Sequence, residues 1–207
     1  MTRFADQSVA QFLDALSAPN PTPGGGTASA IAAAMGTALL MMVAGLARSR
    51  TNAEAEKAAL AEAGSSLVGV RDRLTGLADT DAAAFDQVMT AYRLPKATDE
   101  EKALRKTAIQ DALRVASTAP LDIVRATREA IALARPVAAN GNRSAVSDVR
   151  VALELLAAAA AGAAANVEIN IISLDDESFR QAAAAEIVEL TNAITEDAAA
   201  ARASLAP

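Results

Sequence analysis

Apolar residues recur along this chain at spacings of three and four, and the polar breaks between runs fall at a few sharp points. That pattern predicts helices near 7–17, 27–48, 52–92, 98–139, 144–171 and 176–204. The third and fourth are parted by Arg93-Leu94-Pro95-Lys96-Ala97, after which Thr98 caps a first turn carrying Asp99, Glu100 and Glu101. Asn140-Gly141-Asn142 stops the fourth helix, and Ser144 or Ser147 restarts the chain. Pro120 and Pro136 are expected to kink or break that helix. Residues 166–172 alternate briefly, but they continue an alanine-rich run and are read as helix, so no strand is expected. The fold class is therefore an all-α, antiparallel helical bundle, formed as a single domain over 1–207.

Between Asp14 and Arg48 no residue is charged, which raises the question of a membrane span. A Pro- and Gly-rich interruption and a helix made mostly of Ala, Gly, Ser and Thr favour a central helix buried by its neighbours. Alanine dominates the composition and aromatics make up only 2%, as suits helices whose axes approach closely. The N-terminus, with Arg3, Asp6 and Asp14 around short apolar pieces, lacks the layout of a signal peptide, so a cytoplasmic protein with no membrane partner is expected. A net charge of −6 without a basic cluster argues against a nucleic-acid partner. Cysteine and histidine are both absent, which excludes disulfides, thiolate nucleophiles, imidazole bases and the usual zinc ligand sets. Acid–base chemistry is left to Asp, Glu, Lys, Tyr92, the backbone or water.

The segment Asn20-Pro21-Thr22-Pro23-Gly24-Gly25-Gly26-Thr27-Ala28-Ser29-Ala30 is the most distinctive. The prolines fix an extended approach to the helix. The glycines are expected to permit positive φ and a close backbone approach to a ligand, with Thr27 capping the helix and leaving its first N–H groups free. Such an end can hold an anionic oxygen or a polar ring edge. An ordinary loop–helix corner would look the same.

Leu74, Leu77, Asp81, Phe85, Val88 and Tyr92 fall on one helical stripe, whereas Asp79 and Asp86 are rotated away from Asp81 by about 200° and 140°. A carboxylate on an apolar stripe is desolvated, its pKa tends upward, and it becomes a useful proton shuttle. The alternative is a buried Asp that pairs with Arg or caps another helix. Asp148, Ala152, Leu155, Ala159, Gly162, Asn166 and Asn170 also share a face. Asp148 and Asn166 would stand about 27 Å apart on a continuous helix, so they serve opposite ends of a long ligand, two sites, or merely local backbone groups. Asn140, Gly141, Asn142 and Arg143 form a polar loop. Lys96, Arg93, Arg48 and Arg50 could meet a ligand carboxylate or stay solvated near helix ends.

In order along about 150 residues, Pro21-Thr22-Pro23-Gly24-Gly25-Gly26-Thr27, Asp79-Thr80-Asp81 with Ala84-Phe85, Arg93-Leu94-Pro95-Lys96, Asn140-Gly141-Asn142 with Ser147-Asp148, and Asn166-Val167-Glu168-Ile169-Asn170 resemble the cyclodeaminase/cyclohydrolase family. Its members are the C-terminal domain of formiminotransferase-cyclodeaminase and free-standing methenyltetrahydrofolate cyclohydrolases. The resemblance implies an all-helical homodimer that acts on a reduced folate substrate without metal or cofactor. It implies Asp81 as the catalytic aspartate, with Asp79 as the competing alignment. Candidate substrate-binding residues are Gly24, Gly25, Gly26, Thr27, Lys96, Asn142, Asp148, Asn166 and Asn170. Two departures stand out: Thr27 replaces the family's more frequent serine, and Arg48-Ser49-Arg50 replaces a Gly-Lys-type stretch. The expected reaction is hydrolysis of 5,10-methenyltetrahydrofolate to 10-formyltetrahydrofolate. The alternatives are ring closure of 5-formiminotetrahydrofolate with ammonia release, and a non-catalytic folate-binding or helical assembly module.

Overall fold

The computed structural model describes residues 3–46 and 53–205. Six α-helices follow one another: α1 (Val9–Ser17), α2 (Gly25–Gly45), α3 (Glu54–Tyr92), α4 (Asp99–Asn140), α5 (Val146–Ile171) and α6 (Glu177–Ser204). Single 3-10 turns occupy Phe4–Asp6 and Arg143–Ala145, and no strand occurs among the described residues. The all-α expectation holds, with boundaries close to those the periodicity predicts. Local chemistry explains several of them. Thr98 Oγ1 accepts from Glu101 N–H while the Glu101 carboxylate reaches back to Thr98 N–H, a reciprocal cap for α4. Asp176 caps α6 by accepting from Phe179 N–H at 3.0 Å.

Helix α2 lies in the interior, packed between α3 and α5 and touching α4. It runs antiparallel to α5: Gly25 lies beside Asn166, Ser29 beside Gly162, and Gly36 beside Ala152 and Leu156. A Cβ added at Gly36 would sit 2.9 Å from the Ala152 carbonyl oxygen, so the two backbones meet where one residue has no side chain. The same antiparallel relation joins α2 to α3 through the Gly26–Asp81 and Ala44–Gly64 pairs. Leu40, Leu67, Leu74, Ile123, Ile131, Leu153 and Leu156 fill the centre and are fully buried. Helix α6 closes the far side of α4, fastened by the two-pronged Arg125–Glu186 pair at 2.6 and 2.7 Å and by Arg128–Asp197 at 3.1 Å.

Two helices, Gly25–Gly45 and Arg143–Ile171, are long and apolar enough to cross a membrane. Half of the α2 window is buried inside the bundle, and the interior contacts of that half are protein.

The fourth helix departs from expectation. It runs unbroken through Pro120 and Pro136. A proline leaves the carbonyl four residues earlier without its N–H donor. For Pro120 that carbonyl belongs to Ala116, and the Asn170 amide of α5 donates to it at 2.7 Å. A side chain from a neighbouring helix thus replaces the missing backbone bond, and the helix continues.

Replacing Gly36 by alanine is expected to destabilise the fold by about 1–3 kcal/mol, because α2 and α5 must separate to admit the methyl group. Urea unfolding of the variant against the parent chain measures it, and an unchanged midpoint would refute the close-approach account.

Candidate active site

The N-terminus of α2 is where the sequence reading and the structure differ most usefully. Gly24, not Thr27, occupies the cap position, and the glycines themselves start the helix. No glycine among the described residues has positive φ. What Gly25 and Gly26 provide is space: a Cβ on Gly25 would lie 3.3 Å from Asn166 Nδ2, and one on Gly26 would lie 2.2 Å from Asp81 Oδ1. The missing side chains let a carboxylate and an amide settle directly on the first turn. Its N–H groups have no acceptor within the helix, since the first intrahelical bond is Ala28 N–H to Gly24 carbonyl.

Thr27, released from capping, does something else. Among the described residues five that bear a hydroxyl are buried: Thr27, Ser29, Thr37, Ser117 and Thr127. The last four donate to the carbonyl four residues back in their own helices. Thr27 alone donates across to another helix, to Asp81 Oδ2 at 3.0 Å. Its backbone N–H also hydrogen-bonds to that carboxylate.

The three aspartates of this part of α3 divide cleanly. Asp79 accepts from Phe4 N–H at 2.9 Å and faces Arg3 at 3.6 Å, so it fastens the N-terminal segment. Asp86 accepts from Thr22 Oγ1 at 3.2 Å and fastens the Pro-Thr-Pro loop. Asp81 faces the glycine turn. Burial pushes its pKa above the usual carboxylate value, while the two Thr27 hydrogen bonds pull it partly back. The apolar stripe is less uniform than its spacing implies: Leu74 and Val88 are buried, but Phe85 and Tyr92 are exposed. Asp81 sits on the flank between core and solvent.

Pro21, Thr22, Gly24, Gly25, Gly26, Asp81, Phe85, Ala116, Asn166, Ile169 and Asn170 enclose a cavity of about 290 Å³. A second, larger cavity of about 550 Å³ lies beyond Thr22 and Pro23, against Phe4, Gln7, Ala82 and Ala83. The smaller one is the chemical candidate, because the perturbed carboxylate, the free helix end and both amides converge there. Asn166 Nδ2 donates to the Gly162 carbonyl at 2.8 Å, as Asn170 Nδ2 does to Ala116. With each amide nitrogen held this way, Oδ1 is the acceptor each side chain can offer a ligand.

Other sequence candidates fall elsewhere. Asn142 caps the 3-10 turn, accepting from Ser144 N–H at 2.9 Å, and Asp148 lies in the first turn of α5. The neighbouring Gly141 abuts Val43, near the C-terminal end of α2, so this group belongs to the opposite end of the bundle. Lys96 is exposed in the α3–α4 connection and does not line the cavity. Arg48 and Arg50 lie outside the described residues. Sequence reading missed Phe85, Ala116 and Ile169 as lining residues. Pro120 was the available signal for Ala116, since a proline inside a helix marks an orphaned carbonyl four residues earlier.

Comparison with known proteins gives this arrangement its context. A family model described as formiminotransferase-cyclodeaminase matches residues 8–189. The chain belongs to the formiminotransferase-cyclodeaminase family. Within it, a methenyltetrahydrofolate cyclohydrolase from Methylorubrum extorquens is 44% identical over 176 residues, covering 85% of each chain. The formimidoyltransferase-cyclodeaminase of Rattus norvegicus is 32% identical over 85% of this chain, which spans only 32% of that longer protein. Among solved structures, a formiminotetrahydrofolate cyclodeaminase from Thermotoga maritima superposes with a TM-score of 0.86 at 28% identity, covering 97% of this chain and 96% of that one. The similarity thus extends well beyond the glycine loop and the Asp-Thr-Asp segment, over most of this chain.

A carboxyl whose folded pKa is raised keeps a proton that the unfolded chain has already released. Stability therefore falls as pH rises from the usual carboxylate value of 3.8 through the raised one, and stays lowered above it. Asp81→Asn removes that penalty while keeping an oxygen for Thr27. The variant is expected to melt above the parent protein at neutral pH, with the gap closing as pH falls toward 3.8. Thermal melts across that range decide it, and a variant that melts lower at neutral pH would show that Asp81 is stabilising as a carboxylate.

Proposed function

We propose that this protein hydrolyses 5,10-methenyltetrahydrofolate to 10-formyltetrahydrofolate, with Asp81 as the proton shuttle. The observation that carries the assignment is a half-buried carboxylate of raised pKa, set against an open helix N-terminus in a cavity with two amide acceptors. The substrate carbon joins two nitrogens as an amidinium cation. A carboxylate beside it offers charge complementarity and a base that burial makes stronger than an ordinary aspartate.

Water adds to that carbon, and Asp81 takes one proton from the attacking water, leaving a neutral tetrahedral carbinol. The protonated Asp81 then delivers its proton to the ring nitrogen N5 as the carbon–N5 bond breaks. The carbinol hydroxyl loses its proton to solvent as the formyl carbonyl forms on N10. Cation plus water becomes neutral product plus one proton, and the aspartate ends as it began. The N–H groups of Gly25 and Gly26, without an acceptor in the helix, serve as donors to the carbinol oxygen as its proton leaves and the formyl carbonyl forms. Asn166 and Asn170, as acceptors, suit the N–H and amino donors of the pterin edge. Thr27 holds Asp81 in line. Neither metal nor cofactor enters this scheme.

Ring closure of 5-formiminotetrahydrofolate with loss of ammonia uses the same carbon and the same acid. The Thermotoga maritima neighbour, named for that activity, keeps this reading alive. The relative named as a cyclohydrolase has the higher identity, 44% against 28%, which favours hydrolysis.

The purified protein is expected to accelerate loss of the methenyltetrahydrofolate chromophore above its spontaneous rate. Asp81→Asn should lower that acceleration by about 10²–10⁴-fold, the usual contribution of a positioned acid–base group. Full activity in the variant would remove Asp81 from the mechanism. Ammonia release from formiminotetrahydrofolate, with no effect on the methenyl compound, would replace the reaction.

The protein is further proposed to act as a homodimer joined through the adjoining faces of α2 and α5. Helix α2 carries no charged residue, yet Met35 and Met42 are exposed on it, as is Val151 on α5 beside it. Sedimentation should give twice the chain mass, and Met42→Glu should give a folded monomer. A monomeric parent protein would refute the dimer.

A further inference from the structure

We propose that Phe85, with Ile169 facing it, forms an apolar slot that takes the aryl ring carried on N10 of the substrate. The proposal rests on the reduced-folate reading above and adds a subsite to it. Its starting point is the chain's aromatic inventory, four phenylalanines and one tyrosine. Phe4 and Phe12 pack edge to face with centroids 6.0 Å apart. Tyr92 lies under the Arg105 guanidinium at 5.5 Å, and Phe179 lies under Arg114 at 4.6 Å. Among the described residues Phe85 is the one ring with neither an aromatic nor a cationic partner, and it is the one ring lining the candidate cavity. It remains 38% exposed, although a buried phenylalanine ring is worth far more to the fold.

Helix geometry gives the slot its order. Phe85 follows Asp81 by four residues, so the two side chains sit one above the other on the same face of α3. On α5 the sequence has the same layout, with Asn166 followed by Ile169, which is 65% exposed. Each wall thus carries a polar group level with the glycine turn and an apolar group about one turn away. A ligand that fits must have a polar ring system joined to a flat apolar ring. With the reacting carbon at Asp81 and the pterin edge at the asparagines, the ring on N10 is directed between Phe85 and Ile169. Stacking of a flat ring on an exposed aromatic side chain is the interaction left to be made.

The test is calorimetric and needs no turnover. Two ligands are titrated: 5-formyltetrahydrofolate, which carries the aryl ring, and 6-methyltetrahydropterin, which lacks it. Phe85→Leu is expected to weaken the first about tenfold and to leave the second unchanged, while Phe85→Trp retains the parent affinity for both. In turnover the same Leu variant should raise KM with little change in kcat. Equal weakening of both ligands would move the contact to the pterin, and no weakening of either would abolish the slot. Both results overturn the proposal while leaving the reduced-folate reading intact. Failure of the parent protein to bind 5-formyltetrahydrofolate would instead overturn that reading, and the slot with it. Phe85 is outside the core, so melting temperature serves as the control for folding.

Discussion

The approach of α2 to its neighbours at residues without side chains is the constraint on which this molecule depends. Gly36 against the Ala152 carbonyl marks a contact that a larger residue would force open, and Gly162 against Ser29 and Gly64 against Ala44 are further close approaches. The composition follows from it. The face of α2 packed against α3, α4 and α5 cannot carry charge without a partner, and the helix carries none. Its buried hydroxyls satisfy themselves within their own turns, apart from Thr27. The remaining stability comes from ordinary aliphatic packing and from ion pairs that fasten α6 outside the core.

The candidate site is a by-product of the same packing, exploited at one end. When two helices meet this closely at Gly25 and Gly26, their neighbours' side chains are driven onto the first turn of α2. That turn has donors to spare. Asp81 is drawn there by the Thr27 hydroxyl and N–H and opposed by loss of water, and opposition is the larger effect. A fully satisfied carboxylate would be a poor base, and a fully buried one a permanent acid. Asp81 stands between the two, with burial raising its pKa and the Thr27 bonds lowering it. The asparagines are disciplined in the same way: each gives its N–H to a backbone carbonyl and keeps its oxygen for a ligand. In the case of Asn170 the carbonyl lacks a helical donor because Pro120 has no N–H.

Much of the fold could be read from sequence because long helices leave a strong period and their ends carry caps. Thr98 with Glu101 and the Asn140-Gly141-Asn142 break are local signals, and both lie where they were expected. Asp81 was legible as a desolvated carboxylate from its stripe, although the stripe's outer members, Phe85 and Tyr92, are exposed. What escaped was whatever depended on two helices at once. No spacing rule distinguishes glycines that permit positive φ from glycines that make room for an aspartate 55 residues away in sequence. Pro120 reads locally as a breaker, and only Asn170 from α5 explains why the helix survives it. Lys96, Asn142 and Asp148 share motif order with the site residues but not its place, since a continuous α5 carries Asp148 to the other end of the bundle.

One tension remains, and it bears on the chemistry. A helix N-terminus favours anions, whereas the proposed substrate is a cation. Asp81 resolves the conflict by standing between them, since its carboxylate is held by the helix end and faces the cavity with its other charge-bearing lone pairs. Before attack, the cation meets the carboxylate. As water adds, positive charge on the carbon disappears and Asp81 becomes neutral by taking a proton, while the new oxygen becomes a carbinol hydroxyl that accepts hydrogen bonds. The N–H groups of Gly25 and Gly26, which have no acceptor within the helix, are then available to the new oxygen. The helix end is therefore matched less well to the bound substrate than to the state that follows it. That is the direction in which a fixed electrostatic arrangement lowers a barrier.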